Sequence, residues 1–525
     1  MTNPVPIIIC LVLALAASRQ TLHWLVSKLI DVSSRTPVFH PEDSDELPCQ
    51  AFLRWKYPLL SLPHARFSWP NGQGTEKFFE GRSVAREWRQ RWGPIYQIWS
   101  GWTPEIVLTT PAHAAQFYRT SHRHTKANNN NSGWLFGEVL GVCVGLLSGS
   151  DWRRVRQHLE EPFSRPSATR YTARFVTQAQ EYIRDDLKAG SVCLTKIPGA
   201  ISFEPARALQ LFPFFTMAEI IFGPLSTSQR KVLVSLAPLR EELFKEVIRG
   251  GVNRLSIAPY LPWSGVGLLK TFQKQWQRFV EDAYLLAIQD KRAPCLPVVS
   301  LWEAWKAGKI TERECFQTLD ESLYANLDVT THAISWNMLL LAQNAPAQTR
   351  LREEIVQAVT NTAAEPYERF IDRDDTFLAA CIVESARLRP ILPFSNPESA
   401  PEDQFVDGYL IPRNTNVIVD AQSINIDNPF WVNGTKYDPT RYQKLKKEEV
   451  RYNLWRFGFG PRQCLGKNAA ERMMRAITAE MVRQYALSVP ENVASQLDAV
   501  QEDSWVGLPS MQMECVPVTQ DLSPG

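Results

Sequence analysis

The spacing of apolar residues along the chain predicts a mainly helical protein. Apolar positions recur every three or four residues in several stretches, which is the spacing of one face of an amphipathic helix. Proline closes some of these stretches, as at Pro346 and Pro390. The predicted helices lie near residues 167–189, 216–248, 267–292, 312–343, 346–361 and 374–388.

A smaller part of the pattern is typical of β-structure. Ile95–Ser100 and Glu105–Leu108 flank a turn sequence, Gly101–Pro104, which predicts a β-hairpin followed by a helix from about Thr110. Shorter strand-like pieces occur near residues 391–420 and at the C-terminus. The pattern does not alternate strands with helices as a dinucleotide-binding fold does. The predicted fold class is therefore mainly α with a small β portion.

The N-terminus carries a separate apolar segment. The uncharged run Pro4–Ala17 would span about 21 Å as a helix, which is short for a membrane crossing, but Leu22–Ile30 extends it. Arg19 and Lys28 follow the run and favour an orientation with the body in the cytosol. We predict a membrane anchor over residues 1–30, an acidic linker over 31–50 and one large domain over 51–525. A cleaved signal peptide is the alternative, because small residues near Ala16 resemble a cleavage site.

Charge and cysteine content narrow the class of protein. The 57 Lys and Arg residues nearly balance 55 Asp and Glu, and this net charge of +2 gives no argument for a nucleic-acid partner. A mean hydropathy of -0.23 with one N-terminal apolar run excludes a multi-spanning transporter. Nine dispersed cysteines with no CxxC pair indicate reduced thiols in a protein that faces the cytosol.

One of these cysteines lies in an unusual loop. The segment Phe457–Gly466 reads FGFGPRQCLG and precedes an amphipathic helix, so Cys464 stands between glycines at a helix N-terminus. Glycines allow a flat ligand to approach, and backbone N–H groups together with the helix dipole stabilise a thiolate. Such a thiolate is a natural axial ligand for iron.

This segment resembles the haem-binding loop of the cytochrome P450 superfamily, FxxGxRxCxG, at every fixed position. The resemblance implies the cytochrome P450 fold and haem b held by Cys464, with Phe457 as a further haem-binding residue and Arg462 as a propionate partner. Trp152 and Arg156 resemble the family's WxxxR pair, which binds a haem propionate. The domain over residues 51–525 is then a haem-thiolate catalytic domain.

Two further motifs resemble the same family in the expected order. Glu384 and Arg387 form an ExxR pair, whose spacing places both side chains on one helix face. Arg441 lies in a segment that resembles the family's PERF sequence. The resemblance implies a buried network of these three side chains, which is structural and not catalytic.

The helix predicted over 312–343 departs from the family pattern. Its segment Ala325–Thr331 resembles [AG]GxDT[TS], but Asn326 replaces the usual glycine and Val329 replaces the usual alcohol. Because one residue turns a helix by about 100°, Thr330 can replace that alcohol only with local unwinding, whereas Thr331 returns to the face of Asp328. We hypothesise that Asp328, assisted by Thr330 or Thr331, supplies protons.

The resemblance also implies an activity and its partners. The expected reaction is monooxygenation of a small, largely apolar organic substrate with O₂, with electrons from NADPH through NADPH–cytochrome P450 reductase. Ten Lys and Arg against four acids between Lys436 and Arg472 suit docking of this acidic reductase. The expected location is the endoplasmic reticulum membrane, with the catalytic domain facing the cytosol, and the Asn-Leu-Asp-Val-Thr variant resembles fungal secondary-metabolite enzymes.

The substrate contacts and the alternatives complete the sequence-based expectations. Ile391, Leu392 and Phe394 resemble the strand that lines the family's substrate pocket, and ordinary core positions are the alternative. Val329 keeps open a haem-thiolate isomerase, dehydratase or oxidative-coupling enzyme that inserts no oxygen. A haem-binding sensor or carrier is less favoured, because Asp328 is retained.

Overall fold

The computed structural model is mainly α-helical with a small β portion, as the sequence predicts. It describes residues 21–22, 24–29, 38–39, 62–127, 132–194, 197–261, 265–289, 296–361, 365–490, 499–501 and 504–518. The α-helices of this part of the chain are α1 Gly74–Phe79, α2 Gly81–Trp92, α3 Pro111–Tyr118, α4 Trp134–Leu140, α5 Gly149–Arg156, α6 Glu160–Phe163, α7 Arg165–Tyr182, α8 Pro205–Ala208, α9 Leu211–Phe222, α10 Thr227–Arg249, α11 Val266–Ala287, α12 Pro297–Lys306, α13 Glu312–Ala325, α14 Thr331–Ala342, α15 Ala345–Thr360, α16 Tyr367–Asp372, α17 Phe377–Leu388, α18 Ala421–Asn425, α19 Lys447–Val450 and α20 Lys467–Gln484.

The strands form three sheets within the described residues. They are β1 Val38–Phe39, β2 Ile95–Ser100, β3 Thr103–Leu108, β4 Thr125–Lys126, β5 Val192–Cys193, β6 Ile201–Phe203, β7 Glu398–Ser399, β8 Gln404–Val406, β9 Tyr409–Ile411, β10 Asn416–Val419, β11 Tyr485–Ser488 and β12 Met513–Pro517. The sheet orders are β1-β9-β8, β2-β3-β10-β7-β4 and β11-β12-β6-β5. The pairing of β10 with β3 is parallel, and the others are antiparallel.

The predicted hairpin is confirmed. Strands β2 and β3 pair with Ile95 opposite Leu108 and Ser100 opposite Thr103. Helix α3 follows directly, because the Thr110 side chain accepts a hydrogen bond from the His113 N–H and Pro111 occupies the first turn.

Three predicted helices are interrupted, and the one predicted over 167–189 passes after α7 into a π-helical turn, Ile183–Leu187. The helix predicted over 216–248 is divided into α9 and α10, because Gly223 adopts a φ of +78° and Pro224 follows it. A capping box between Ser226 and Gln229 then starts α10. The helix predicted over 312–343 is divided into α13 and α14 by a π-helical turn, Asn326–Thr330.

The predicted N-terminal anchor lies mostly outside the described residues. The apolar run Pro4–Ala17 is not described, nor is the linker apart from Val38–Phe39. Residues 21–22 and 24–29 are helical, with Leu22, Trp24 and Leu29 exposed. Among the described helices, none has the length and apolarity that a membrane crossing requires.

The hydrophobic core surrounds the divided helix. Helices α13 and α14 contribute a run of buried apolar side chains, and α7, α9, α17 and α20 contribute to the same cluster. Asn337 of α14 donates a hydrogen bond to Thr478 Oγ1 of α20 at 2.9 Å, with both residues buried. This packing fixes the π-helical turn relative to the loop that precedes α20.

Candidate functional site

The loop Phe457–Gly466 is held in a fixed conformation before α20. Gly458 and Gly460 have φ values of +77° and +69°, a region that favours glycine. A Cβ on Gly460 would also lie 2.6 Å from Ser121 Oγ. The Cys464 N–H donates to the Phe457 carbonyl oxygen at 2.9 Å. The loop therefore presents the Cys464 side chain immediately before the first turn of α20.

The Cys464 thiol faces an internal cavity. Its side chain is exposed, and the surface that it exposes lines that cavity. Burial within the protein raises the pKa of this thiol, while backbone hydrogen bonds from Gly466 and Lys467 oppose the shift. A metal cation beside this sulfur would favour its thiolate form.

Trp152 and two arginines form one edge of the same cavity. The Arg156 and Arg462 guanidinium carbons lie 5.2 and 4.6 Å from the Trp152 ring centroid. Arg462 Nη2 donates to the Gly145 carbonyl oxygen at 3.1 Å, and Arg156 Nε lies 3.3 Å from Glu160 Oε2. Burial lowers the pKa of Arg462 to about 10, so an anion beside this guanidinium would be stabilised.

These features fit haem. The Cys464 thiol on the cavity wall would hold the haem iron, and the cations at the cavity edge would pair with the propionate groups. Phe457 also lines the cavity, with its ring 4.6 Å from the Arg456 guanidinium carbon. The structure thus brings Cys464, Trp152, Arg156, Arg462 and Phe457 to one cavity.

The π-helical turn Asn326–Thr330 lines this cavity too. The Asn326 amide group donates to the Ser322 carbonyl oxygen at 2.9 Å and, more weakly, to that of Leu323 at 3.4 Å. Its Oδ1 accepts a hydrogen bond from the hydroxyl of Thr330, four residues later, at 2.9 Å. Since the Thr330 hydroxyl proton is used in this bond, its lone pairs remain available to a water molecule or a ligand.

Asp328 takes part in a separate hydrogen bond. Its Oδ2 accepts from Trp505 Nε1 at 2.9 Å. Burial raises the pKa of Asp328 to about 6, and the Trp505 N–H opposes this shift. Thr331 is fully buried and is not among the residues that line the cavity, so the structure does not bring it together with Asp328 and Thr330 there.

The predicted substrate-contact segment is divided between cavity and core. Ile391 and Leu392 line the cavity. Phe394 does not, because its ring packs against Trp88 with a centroid distance of 5.6 Å in a core cluster beneath the β2-β3 sheet. Phe394 therefore fits the alternative, an ordinary core position.

Glu384, Arg387 and Arg441 form a buried network that the cavity does not include. Arg387 donates through Nε and Nη2 to the two Glu384 carboxylate oxygens at 2.8 Å each, and Arg441 Nε donates to Oε1 at 3.0 Å. Arg387 Nη1 also donates to the carbonyl oxygens of Asn425 and Gly434. The network thus ties α17 to the chain between α18 and the Cys464 loop.

The basic segment from Lys436 to Arg472 is less exposed than its sequence indicates. Arg441 is bound to Glu384, Arg456 lies 2.9 Å from Glu471, and Arg472 pairs with Asp372. The exposed cations of the segment are Lys436, Lys444, Lys446, Lys447 and Arg451. Internal ion pairs thus remove part of the predicted docking charge.

Trp505 and Lys126 are among the residues of the site that were not found from the sequence. Trp505 reaches Asp328 from 177 positions along the chain, and the local sequence around it carries no motif. Lys126 lines the cavity and pairs with buried Glu398, 272 positions away. Only the pairing of β4 with β7 brings these two together.

The chain is similar to known proteins over nearly its whole length. The family model described as Cytochrome P450 matches residues 76–510. The cytochrome P450 monooxygenase gliC of Aspergillus fumigatus is 63% identical over 519 residues, which cover 98% of each chain. Cytochrome P450 monooxygenase verC of Clonostachys rogersoniana is 47% identical over 88% of this chain and 89% of its own. Cytochrome P450 monooxygenase asaD of Aspergillus flavus is 37% identical over 95% of this chain and 92% of its own.

Proposed function

The chain belongs to the cytochrome P450 family, and on this premise we propose that it is a haem b-dependent monooxygenase acting on a small, largely apolar organic compound. The observation that carries the proposal is the Cys464 thiol, which faces the same cavity as the Trp152, Arg156 and Arg462 edge. Haem bound there would supply the reductive activation of O₂. The chain's own residues bind the haem, orient the substrate and supply protons.

The proposed reaction has a defined balance. One oxygen atom of O₂ enters a C–H bond of the substrate, and the other leaves as water with two electrons and two protons. We propose that NADPH supplies the electrons through NADPH–cytochrome P450 reductase. The exposed cations Lys444, Lys446, Lys447 and Arg451 support docking of an acidic partner.

We also propose a location and a metabolic role. The uncharged run Pro4–Ala17 with Arg19 and Lys28 after it supports an endoplasmic reticulum membrane anchor, with the catalytic domain in the cytosol. Fractionation of cells that express the chain with and without residues 1–30 tests this location. The similarity to fungal monooxygenases supports a fungal secondary metabolite as the substrate.

Labelled oxygen tests the reaction. We expect mass spectrometry to find a compound that accumulates when the coding sequence is deleted. The purified protein with reductase and NADPH should convert this compound under ¹⁸O₂ into a product that carries one labelled atom. A product without label would instead indicate isomerisation, dehydration or oxidative coupling.

The Asn326–Thr330 pair is the group that we propose for proton handling. Replacing Thr330 by valine removes the hydroxyl that Asn326 fixes. Positioned proton transfer is typically worth about a hundredfold or more in rate, and we expect the product formed per NADPH to fall by at least about tenfold. Hydrogen peroxide release should rise in parallel, and Thr330→Ser should restore coupling. Haem content should stay unchanged.

Thr331→Val separates the two predicted alcohols. The Thr331 hydroxyl is buried and has no hydrogen-bond partner in the described part of the chain. Valine is nearly isosteric with threonine, so this variant should keep normal coupling. If Thr331→Val lowered the product formed per NADPH and Thr330→Val did not, the proton-handling role would belong to Thr331.

A further inference from the structure

Two carboxylates that line the cavity, Glu321 and Asp328, form no ion pair among the described residues, and Glu321 accepts a hydrogen bond from the Gly145 N–H at 2.9 Å. Arg240 and Glu241 also line the cavity, but each has an ionic partner: Arg240 Nε lies 2.8 Å from Asp320, and Glu241 lies 3.3 Å from Lys245 Nζ. Asp328 has no such partner there, and its side chain accepts one hydrogen bond, from Trp505 Nε1. Its second oxygen, Oδ1, has no partner within the described residues.

Trp505 fixes the direction of this carboxylate. The Trp505 ring packs edge to face with Phe244 at a centroid distance of 4.9 Å, so its N–H is held toward Asp328 Oδ2. The segment that carries Trp505 is itself tied to α14, because Trp336 Nε1 donates to the Gly507 carbonyl oxygen at 3.0 Å. Oδ1 is therefore a preorganised acceptor and not a freely rotating one.

The surroundings determine what such an acceptor can bind. Phe136, Phe244, Val329 and Leu392 give the cavity wall near it an apolar character. The Trp505 indole has a single N–H, which is used on Oδ2, so the acceptor sites of Oδ1 need another donor. Asp328 is half-buried, and a ligand that displaces water from the cavity would have to offer Oδ1 an N–H or O–H group to keep its hydrogen bonding satisfied.

We propose that Asp328, positioned by Trp505, is a specificity-determining residue that binds an N–H or O–H group of an otherwise apolar substrate. The inference rests on the proposed function, since it concerns the substrate of that same site. This role differs from proton supply by Asp328. Loss of substrate recognition changes the dissociation constant, whereas loss of proton supply changes the turnover rate.

A matched pair of probes tests the assignment. Indole and 1-methylindole have the same ring system, and only indole carries an N–H donor. Calorimetric dissociation constants for both probes would be measured with the purified holoenzyme and with Asp328→Asn. The ratio of the two constants cancels the apolar contribution of the ring, and we expect Asp328→Asn to shift it against indole by about tenfold, because a hydrogen bond to a charged group is lost.

Two more variants sharpen the test. Glu241→Gln removes a charge from the same cavity at a residue already paired with Lys245, so the ratio should move less than about twofold, as is usual for partly exposed ion pairs. Trp505→Phe keeps the ring but removes the N–H, so part of the preference for indole should be lost. The carbon monoxide spectrum of each preparation is recorded alongside.

Each outcome either supports or overturns the assignment of Asp328 as a substrate-binding residue. A shift confined to Asp328→Asn and Trp505→Phe supports the assignment. An unchanged ratio, an equal shift in Glu241→Gln, or no binding of either probe by the wild-type holoenzyme up to the solubility limit overturns it. An intact thiolate-type carbon monoxide band with an unchanged ratio would leave the proposed function standing, whereas a missing band would overturn that function independently of the ratio.

Discussion

Cys464→Ser should abolish the strongly red-shifted Soret band of the reduced, carbon monoxide-bound protein. That band arises from thiolate coordination, and a serine hydroxyl does not replace a thiolate as a ligand for iron. The fold should survive, because the Cys464 side chain faces the cavity and the backbone bond to Phe457 does not depend on it. Far-ultraviolet circular dichroism and the carbon monoxide difference spectrum of the same preparation measure both quantities.

Cys143→Ala is the matched control for this variant. Cys143 lines the same cavity and is fully buried, but burial raises the pKa of its thiol well above the ordinary value and Glu321 adds to that shift. Unlike the Cys464 side chain, which exposes surface to the cavity, the Cys143 side chain is fully buried and offers no surface to a ligand, so Cys143→Ala should retain the red-shifted band. Retention of the band by Cys464→Ser, or its loss in Cys143→Ala, would contradict the assignment of Cys464 as the iron ligand.

The helical part of the fold could be predicted because its signal is local. Apolar spacing marks α11, α15 and α17, and turn chemistry marks the hairpin of β2 and β3, since each depends on residues that are neighbours in the chain. The break at Gly223 was missed although a glycine and a proline stand there, because the apolar spacing continues across it. Long-range pairings such as β4 with β7 leave no local pattern in so short a strand.

The candidate site also has a part that the sequence predicts and a part that it does not. Cys464, Trp152 and Arg462 lie in recognisable segments, and the structure brings them to one cavity. The π-helical turn is a different case, because the departure at Asn326 was visible but its consequence was not. The asparagine amide donates to carbonyl oxygens of the preceding turn, and its oxygen accepts from the Thr330 hydroxyl; no sequence pattern indicates these bonds.

Separate partners for Thr330 and Asp328 change the interpretation of this helix. The sequence favours one relay in which Asp328 acts with an alcohol. In the structure, Thr330 bonds to Asn326 while Asp328 bonds to Trp505. The two side chains can therefore serve different tasks, and the Thr330→Val and Asp328→Asn variants address them one at a time.

Glu384→Gln should destabilise the folded protein by about 3–5 kcal/mol, the usual cost of removing one partner from a buried ion pair. Glu384 and Arg387 are fully buried, and Arg441 is nearly so. Loss of the carboxylate charge leaves two guanidinium groups facing a neutral amide, which offers one acceptor where the carboxylate offered two. Because single domains are stable by only about 5–15 kcal/mol, urea unfolding followed by circular dichroism should show a large shift.

Glu219→Gln separates the effect of burial from that of geometry. Arg174 donates to both oxygens of Glu219 at 3.0 Å each, the same two-bond arrangement as between Arg387 and Glu384, but Arg174 is 44% exposed. Exposed pairs contribute at most about 1 kcal/mol, so Glu219→Gln should lower the unfolding free energy only slightly. Since the Glu384 network also holds the chain that leads to Cys464, haem retention on dilution should fall in Glu384→Gln and stay normal in Glu219→Gln. Equal losses in both variants would show that the arginine–carboxylate geometry, and not burial of the network, sets its contribution.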